Sequence, residues 1–192
     1  MRIYIVGSLN MDLVIRAPRV PEAGETLSGE GFMTNPGGKG ANQAVAVAKL
    51  GGEAYMVGCV GREFGRELTD ALRGYGVHAD YVRTETDISS GIAVIVVAER
   101  DNRIILDAGS NDRTDSALVD RAFADAQAGD YLLVQLEIGL STVAYALKEA
   151  KKRGMVTVLN PAPAARLPQE LYEFCDWFMP NQTEAEFYTG IY

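Results

Sequence analysis

Histidine is almost missing from this chain, cysteine is scarce, and no apolar run approaches the length of a bilayer. The single histidine, His78, cannot build a histidine metal cluster or a histidine-based catalytic triad. A lone histidine of this kind is more often structural or exposed than functional. The two cysteines, Cys59 and Cys175, lack metal-like spacing and read as reduced thiols in a cytoplasmic protein. A membrane-spanning helix needs about 20 apolar residues, and nothing here comes close. Met1-Arg2 leads directly into Ile3-Tyr4-Ile5-Val6-Gly7, which is too short for a signal-peptide core. Positive charge is also in deficit: 18 Lys and Arg against 26 Asp and Glu leave a net charge of -8. That balance argues against a nucleic-acid partner, because phosphate neutralisation needs a basic face. ATP is not excluded, since its site needs only local donors and a metal ion.

What remains is an ordinary globular composition, 47% hydrophobic and 23% charged, over 192 residues. A chain of this length suits one domain and can bury roughly two-thirds of its unfolded surface. Strand-length apolar runs alternate with helix-period segments, the pattern of a parallel sheet covered by helices. Core strands are expected at residues 2–7, 54–60, 131–136, 155–159 and 177–179. Helices are expected at 39–50, 63–75, 115–127, 141–153, 168–174 and 182–189. Ser141 can cap its helix, Gly154 can stop it, and Pro168 suits a first helical position. Residues 13–35 and 91–108 break the alternation and read as a small separate β-sheet, with Glu99-Arg100-Asp101-Asn102 as its hairpin turn. Such a sheet has an exposed apolar face, so it should cover a pocket or pair with another copy.

In a parallel α/β sheet, ligands bind beyond the carboxyl ends of the strands. Strand 2–7 is followed by Ser8, Asn10 and Asp12, strand 131–136 by Glu137, strand 155–159 by Asn160, and strand 177–179 by Asn181 and Glu184. One such residue only begins a loop; four strand ends bearing amides and carboxylates favour a polyol or phosphate site. The segment Pro36-Gly37-Gly38-Lys39-Gly40-Ala41-Asn42 adds backbone donors at a helix start. It is not a Walker A loop, because Gly40 and not Ser or Thr follows Lys39. Nor is it a dinucleotide fingerprint, because Gln43 holds the third glycine position and the first strand lies some thirty residues back.

Gly7-Ser8-Leu9-Asn10-Met11-Asp12, Gly24-Glu25-Thr26 and Pro36 to Ala44 together resemble the ribokinase group of the PfkB carbohydrate kinase family. Gly61 to Gly65, Gln135-Leu136-Glu137, Asn160 to Pro163 and Asn181 to Glu184 continue the match in order, so the resemblance spans the chain. It implies a ribokinase-like fold, a Rossmann-like parallel or mixed sheet with flanking helices plus a small β-sheet lid. The core would hold residues 1–12, 36–90 and 109–192, incomplete at the C-terminus, and the lid 13–35 and 91–108. The implied activity is ATP-dependent phosphorylation of the 5-hydroxyl of D-ribose. Asn10, Asp12, Gly38, Lys39, Asn42 and Glu137 would bind the sugar, with Ala93 and Ile95 touching it from the lid. Asn181 would contact ATP phosphates, and Glu184 would organise Mg2+ through water. From those four residues alone, Asn181 to Glu184 reads better as a helix capping box; the ordered match favours the functional role. A monovalent cation such as K+ and a homodimer formed through the lid belong to the same expectation.

One departure matters. The family's Gly-Ala-Gly-Asp motif, whose Asp takes the proton from the sugar hydroxyl, does not occur here. Asp107-Ala108-Gly109 and Ala128-Gly129-Asp130 are fragments only, and Asp130 precedes a strand. The expectation is therefore a sugar site without its catalytic base, in a polypeptide nearly inactive by itself. Two alternatives stay open: a non-catalytic sugar-binding protein, and a kinase for fructose, a deoxysugar or a nucleoside.

Overall fold

The computed structural model describes residues 1–99 and 101–191. The chain opens with β1 (Arg2–Val6), β2 (Asn10–Arg16) and β3 (Glu30–Gly37), then α1 (Lys39–Lys49), β4 (Glu53–Val60) and α2 (Gly65–Gly74). Three strands follow, β5 (His78–Thr84), β6 (Gly91–Ala98) and β7 (Asp101–Asp107), then α3 (Ser116–Ala122) and β8 (Tyr131–Val134). The rest is α4 (Leu140–Lys152), β9 (Val156–Leu159), β10 (Trp177–Phe178) and α5 (Gln182–Thr189). Six strands form a parallel sheet in the order β10-β9-β8-β1-β4-β5, and four form a mixed sheet in the order β3-β2-β6-β7.

The parallel sheet is buried on both faces near β1, as alternating side chains require. Tyr4 and Val6 face a core with Phe123, Val143 and Leu147 from the α3 and α4 side. Ile5 faces the other way, into Ala44, Met56, Leu68 and Leu72 from the α1 and α2 side. The five expected core strands all form. A sixth, β5, was not expected: it is an edge strand with mixed exposure, so its alternation is weak. His78 starts that strand, exposed, and stacks on Tyr55 at 4.4 Å.

Several local expectations need correction. Ser141 does not cap α4; Gly139 is the capping residue and supplies no side-chain bond. Pro168 stands before its helical segment and not inside it, and residues 169–174 form a 3₁₀ helix. The helix expected over 115–127 ends at Ala122 in a short 3₁₀ turn, with Asp115 accepting from the Leu118 N–H at its start. The turn between β6 and β7 is tighter than the four residues expected. Asp101 pairs with Ala98 and Asn102 with Val97, so both belong to the strand; Arg100 lies outside the described residues. Glu99 has φ 53°, the backbone such short turns demand.

The small sheet is larger than its sequence outline. β2 begins at Asn10 and β3 runs to Gly37. Asn10 and Asp12 are therefore strand residues of the second sheet and not loop residues at the end of β1.

Candidate sugar site

Register builds the site. β2, β6 and β7 place Asp12, Ala93 and Leu106 in one row across the mixed sheet, and Ile95 beside Ile104 in the next same-face row. Period two then puts Asn10 with Asp12, Ala93 with Ile95, and Ile104 with Leu106 on one face. That face looks onto the start of α1. There the chain turns at Gly38, whose φ is 95°; a Cβ would meet the backbone of Asn10 and Ser8 at 2.8 Å. Only glycine lets the helix start this close to the β1–β2 connection.

The result is an open cleft of about 370 Å³. Asn10, Asp12, Gly38, Lys39, Asn42, Ala93, Ile95 and Glu137 all line it. Ile104 and Leu106 complete its wall; the sequence gives no sign of them because an apolar strand looks the same on either face. Asn181 and Glu184 are not part of this cleft.

Glu137 sits just past β8 and anchors the helix. Its Oε2 accepts from the Ser8 hydroxyl at 2.6 Å and from the Lys39 N–H at 3.1 Å. The Ser8 hydroxyl oxygen also accepts from the Gly40 N–H at 3.3 Å. A carboxylate against the positive end of α1 is favourable. Its other oxygen, Oε1, lies 3.6 Å from Lys39 Nζ. Burial pushes the Asp12 carboxyl above the usual carboxylate range, and the negative charge of Glu137 pushes it further. Two carboxylates held together in this way are suited to accept from several hydroxyls of one polyol.

A second arrangement ties the helix to the sheet. Gln135 Nε2 donates to Gln43 Oε1 at 2.6 Å, Gln43 Nε2 to Asn160 Oδ1 at 3.4 Å, and Asn160 Nδ2 to the Met179 carbonyl at 3.0 Å. Asn160 therefore supports α1 and does not line this cleft. Asn181 and Glu184 form the complete capping box of α5. Asn181 Oδ1 accepts from the Glu184 N–H at 2.8 Å, and the Glu184 Oε2 accepts from the Asn181 N–H at 2.8 Å.

The model of the pfkB family of carbohydrate kinases matches residues 2–192. The chain belongs to that family. As a pfkB-family chain it is 42% identical over 193 residues to the ribokinase of Schizosaccharomyces pombe, an alignment covering 96% of this chain and 61% of that protein. It is 39% identical over 194 residues to the deoxyribokinase of Salmonella typhi, covering 100% of this chain and 63% of the relative. Among solved structures, the Arabidopsis thaliana ribokinase complexed with ribose and ATP matches with a TM-score of 0.85 and 34% identity, over 98% of this chain and 62% of that one. The chain thus spans somewhat under two-thirds of the length of the pfkB-family relatives it matches. Among the described residues, no helix is long and apolar enough to cross a membrane.

Proposed function

We propose that this chain carries the sugar site of an ATP-dependent kinase that phosphorylates the 5-hydroxyl of D-ribose. The observation that carries the reading is the cleft: all eight side chains or backbone positions expected to hold the sugar line one cavity. Asp12, Glu137 and the two Asn amides supply polar partners for hydroxyls, and Ala93 and Ile95 cover the ring's apolar edge. The small mixed sheet acts as the lid. The similarity to an Arabidopsis protein complexed with ribose and ATP supports both ligands.

Asn181 would contact the ATP phosphates from the start of α5. Glu184 would act on Mg2+ through water: Asn181 donates to both its carboxylate oxygens, and each keeps a lone pair for a bridging water. Bound Mg2+ would neutralise charge on the transferring phosphate. No three His, Cys, Asp or Glu side chains converge among the described residues, so a K+ site would use other groups. The proton acceptor of the Gly-Ala-Gly-Asp motif is not among these 192 residues. The chain alone should therefore bind sugar and turn over little.

Calorimetric titration with D-ribose tests the reading, alongside a coupled ADP-release assay. Binding of D-ribose with negligible ATP turnover is expected. No heat with D-ribose would sink the proposal, and tighter binding of 2-deoxy-D-ribose would favour the deoxysugar reading that the Salmonella relative suggests.

The lid is also proposed as a homodimer contact. Val94 and Ile105 pair on its other face, 40% and 73% exposed. Sedimentation velocity should show a dimer; a monomer at micromolar concentration would remove this part.

A further inference from the structure

Asn111 lies outside every motif considered above, yet it is 1% exposed and touches the sugar site. It sits in the 3₁₀ turn Gly109–Arg113 that follows the last lid strand, β7. The preceding residue pins this turn to the core: the Ser110 N–H donates to the Ser89 carbonyl at 2.9 Å, and the Ser110 hydroxyl to the Cys59 carbonyl at 3.1 Å. The Asn111 side chain bridges back to the start of β2. Its oxygen accepts from the Leu9 N–H at 2.9 Å. Its amide nitrogen donates to Asn10 Oδ1 at 2.7 Å and lies 3.3 Å from the Leu9 carbonyl.

These contacts leave no freedom of assignment. A backbone N–H is only a donor, so the Asn111 atom facing it must be the oxygen. The other terminus is then the NH2 group, and the Asn10 atom it meets must be an oxygen. Asn10 Nδ2 is what remains, with no hydrogen-bond partner among the described residues, on a side chain that lines the cleft. The polarity of one backbone amide is thus passed through Asn111 to the binding surface. Space is held for this bridge by Gly91, which pairs with Asn10 across β2 and β6. A Cβ there would lie 2.1 Å from Asn10 Oδ1 and 2.2 Å from Asn111 Nδ2.

We infer that Asn111 is a positioning residue that locks Asn10 with its NH2 group toward the cleft, so the site offers a donor to a sugar oxygen at this point. Because Asn111 joins the segment leaving the lid to the first residue of β2, it also fixes where the lid strand meets the core. The sugar part of this inference rests on the pentose reading; the orientation of Asn10 does not.

Asn111→Asp is the sharpest test. Its carboxylate still accepts from Leu9 but cannot donate to Asn10, so the Asn10 amide must turn and present its oxygen. D-ribose affinity measured by calorimetry should fall about 10- to 100-fold. An unchanged affinity would overturn the inference. In a cycle of Asn10→Ala and Asn111→Ala, the double variant should lose no more affinity than Asn10→Ala alone. Losses that multiply would mean that Asn111 acts only on the fold. The wild-type chain supplies a readout that needs neither variant folding nor sugar binding. By NMR, the Asn111 side-chain NH2 should exchange slowly and that of Asn10 quickly; the opposite pattern overturns the assignment. A wild-type chain with this pattern and no affinity for D-ribose would refute the pentose reading and leave the Asn10 orientation standing.

Discussion

Replacing Asp12 with alanine is expected to weaken D-ribose binding by about 10²- to 10⁴-fold while leaving the fold intact. A carboxylate accepting two hydroxyls makes two charge-assisted bonds, each about 1.5–3 kcal/mol. The Asp12 carboxylate accepts from no other described side chain or backbone group, while its backbone stays in the ladder with Asn35 and Ala93, so truncating the side chain orphans nothing in the protein. Calorimetry gives the affinity and thermal unfolding the stability; an unchanged ribose affinity would refute the placement of the sugar. The shift of Asp12 makes a second expectation. Burial and the Glu137 charge raise its folded pKa above the unfolded value of about 3.9. The folded protein therefore holds this proton more tightly than the unfolded chain. The associated stability is fully present below the unfolded pKa and is lost as pH rises through the folded pKa. At neutral pH an ionised Asp12 destabilises the fold, a cost that the proposed sugar contact would explain. Asp12→Asn should then melt at a higher temperature than the wild type at pH 7, and that advantage should disappear by about pH 4. Sugar affinity of the wild type should weaken over the same descent, because the protonated carboxyl loses half its accepting capacity. A lower melting temperature for Asp12→Asn at pH 7 would contradict the cause assigned to the shift.

Glu137→Ala should cost both stability and binding. The Ser8 hydroxyl is fully buried, and it and the Lys39 N–H donate to the same oxygen of Glu137. Losing that oxygen strands two donors at the start of α1, at about 1–3 kcal/mol for a buried unpaired group. The contact with Lys39 Nζ adds little, since it is long and that side chain is 39% exposed. A fall in unfolding free energy of about 2–4 kcal/mol is expected in urea denaturation. Glu137→Gln keeps an acceptor facing both donors, so it should lose less than half as much stability while still weakening sugar binding. Equal denaturation midpoints for the wild type and Glu137→Ala would show that this carboxylate is not what holds the helix.

The two roles of Glu137 illustrate how far a linear reading reaches. Its place just past an apolar strand marks it as a ligand candidate, and it does line the cleft. Nothing in the sequence reveals that Ser8, 129 positions away, donates to it. Asn10 and Asp12 show the same limit in another form. Their polarity is legible, but their membership of the mixed sheet depends on where β2 begins pairing with β3. Asn111 left no usable signal at all: Gly109-Ser110-Asn111-Asp112 is the composition of an ordinary loop. The pair Asn181 and Glu184 ran the other way. The capping box that their spacing spells is formed in full, because both partners lie within one helical turn.

By itself, then, the amino-acid order determined the alternating architecture, the five apolar core strands, the glycine-rich turn into α1 and the residue types able to hold a polyol. Each of these is set by local periodicity, by backbone permissiveness or by side-chain chemistry, which a single segment carries within itself. Only the tertiary structure decided the edge strand β5, the mixed-sheet register that aligns Asp12 with Ala93 and Leu106, the shared oxygen of Glu137 and the bridge from Asn111 to Asn10. Most of those depend on contacts between residues about a hundred positions apart, such as Asn10 with Asn111 and Ser8 with Glu137, and the rest on strand pairing that no single segment dictates. A one-residue slip of β2 against β6 would turn Asn10 and Asp12 to the opposite face, away from Ala93 and Ile95.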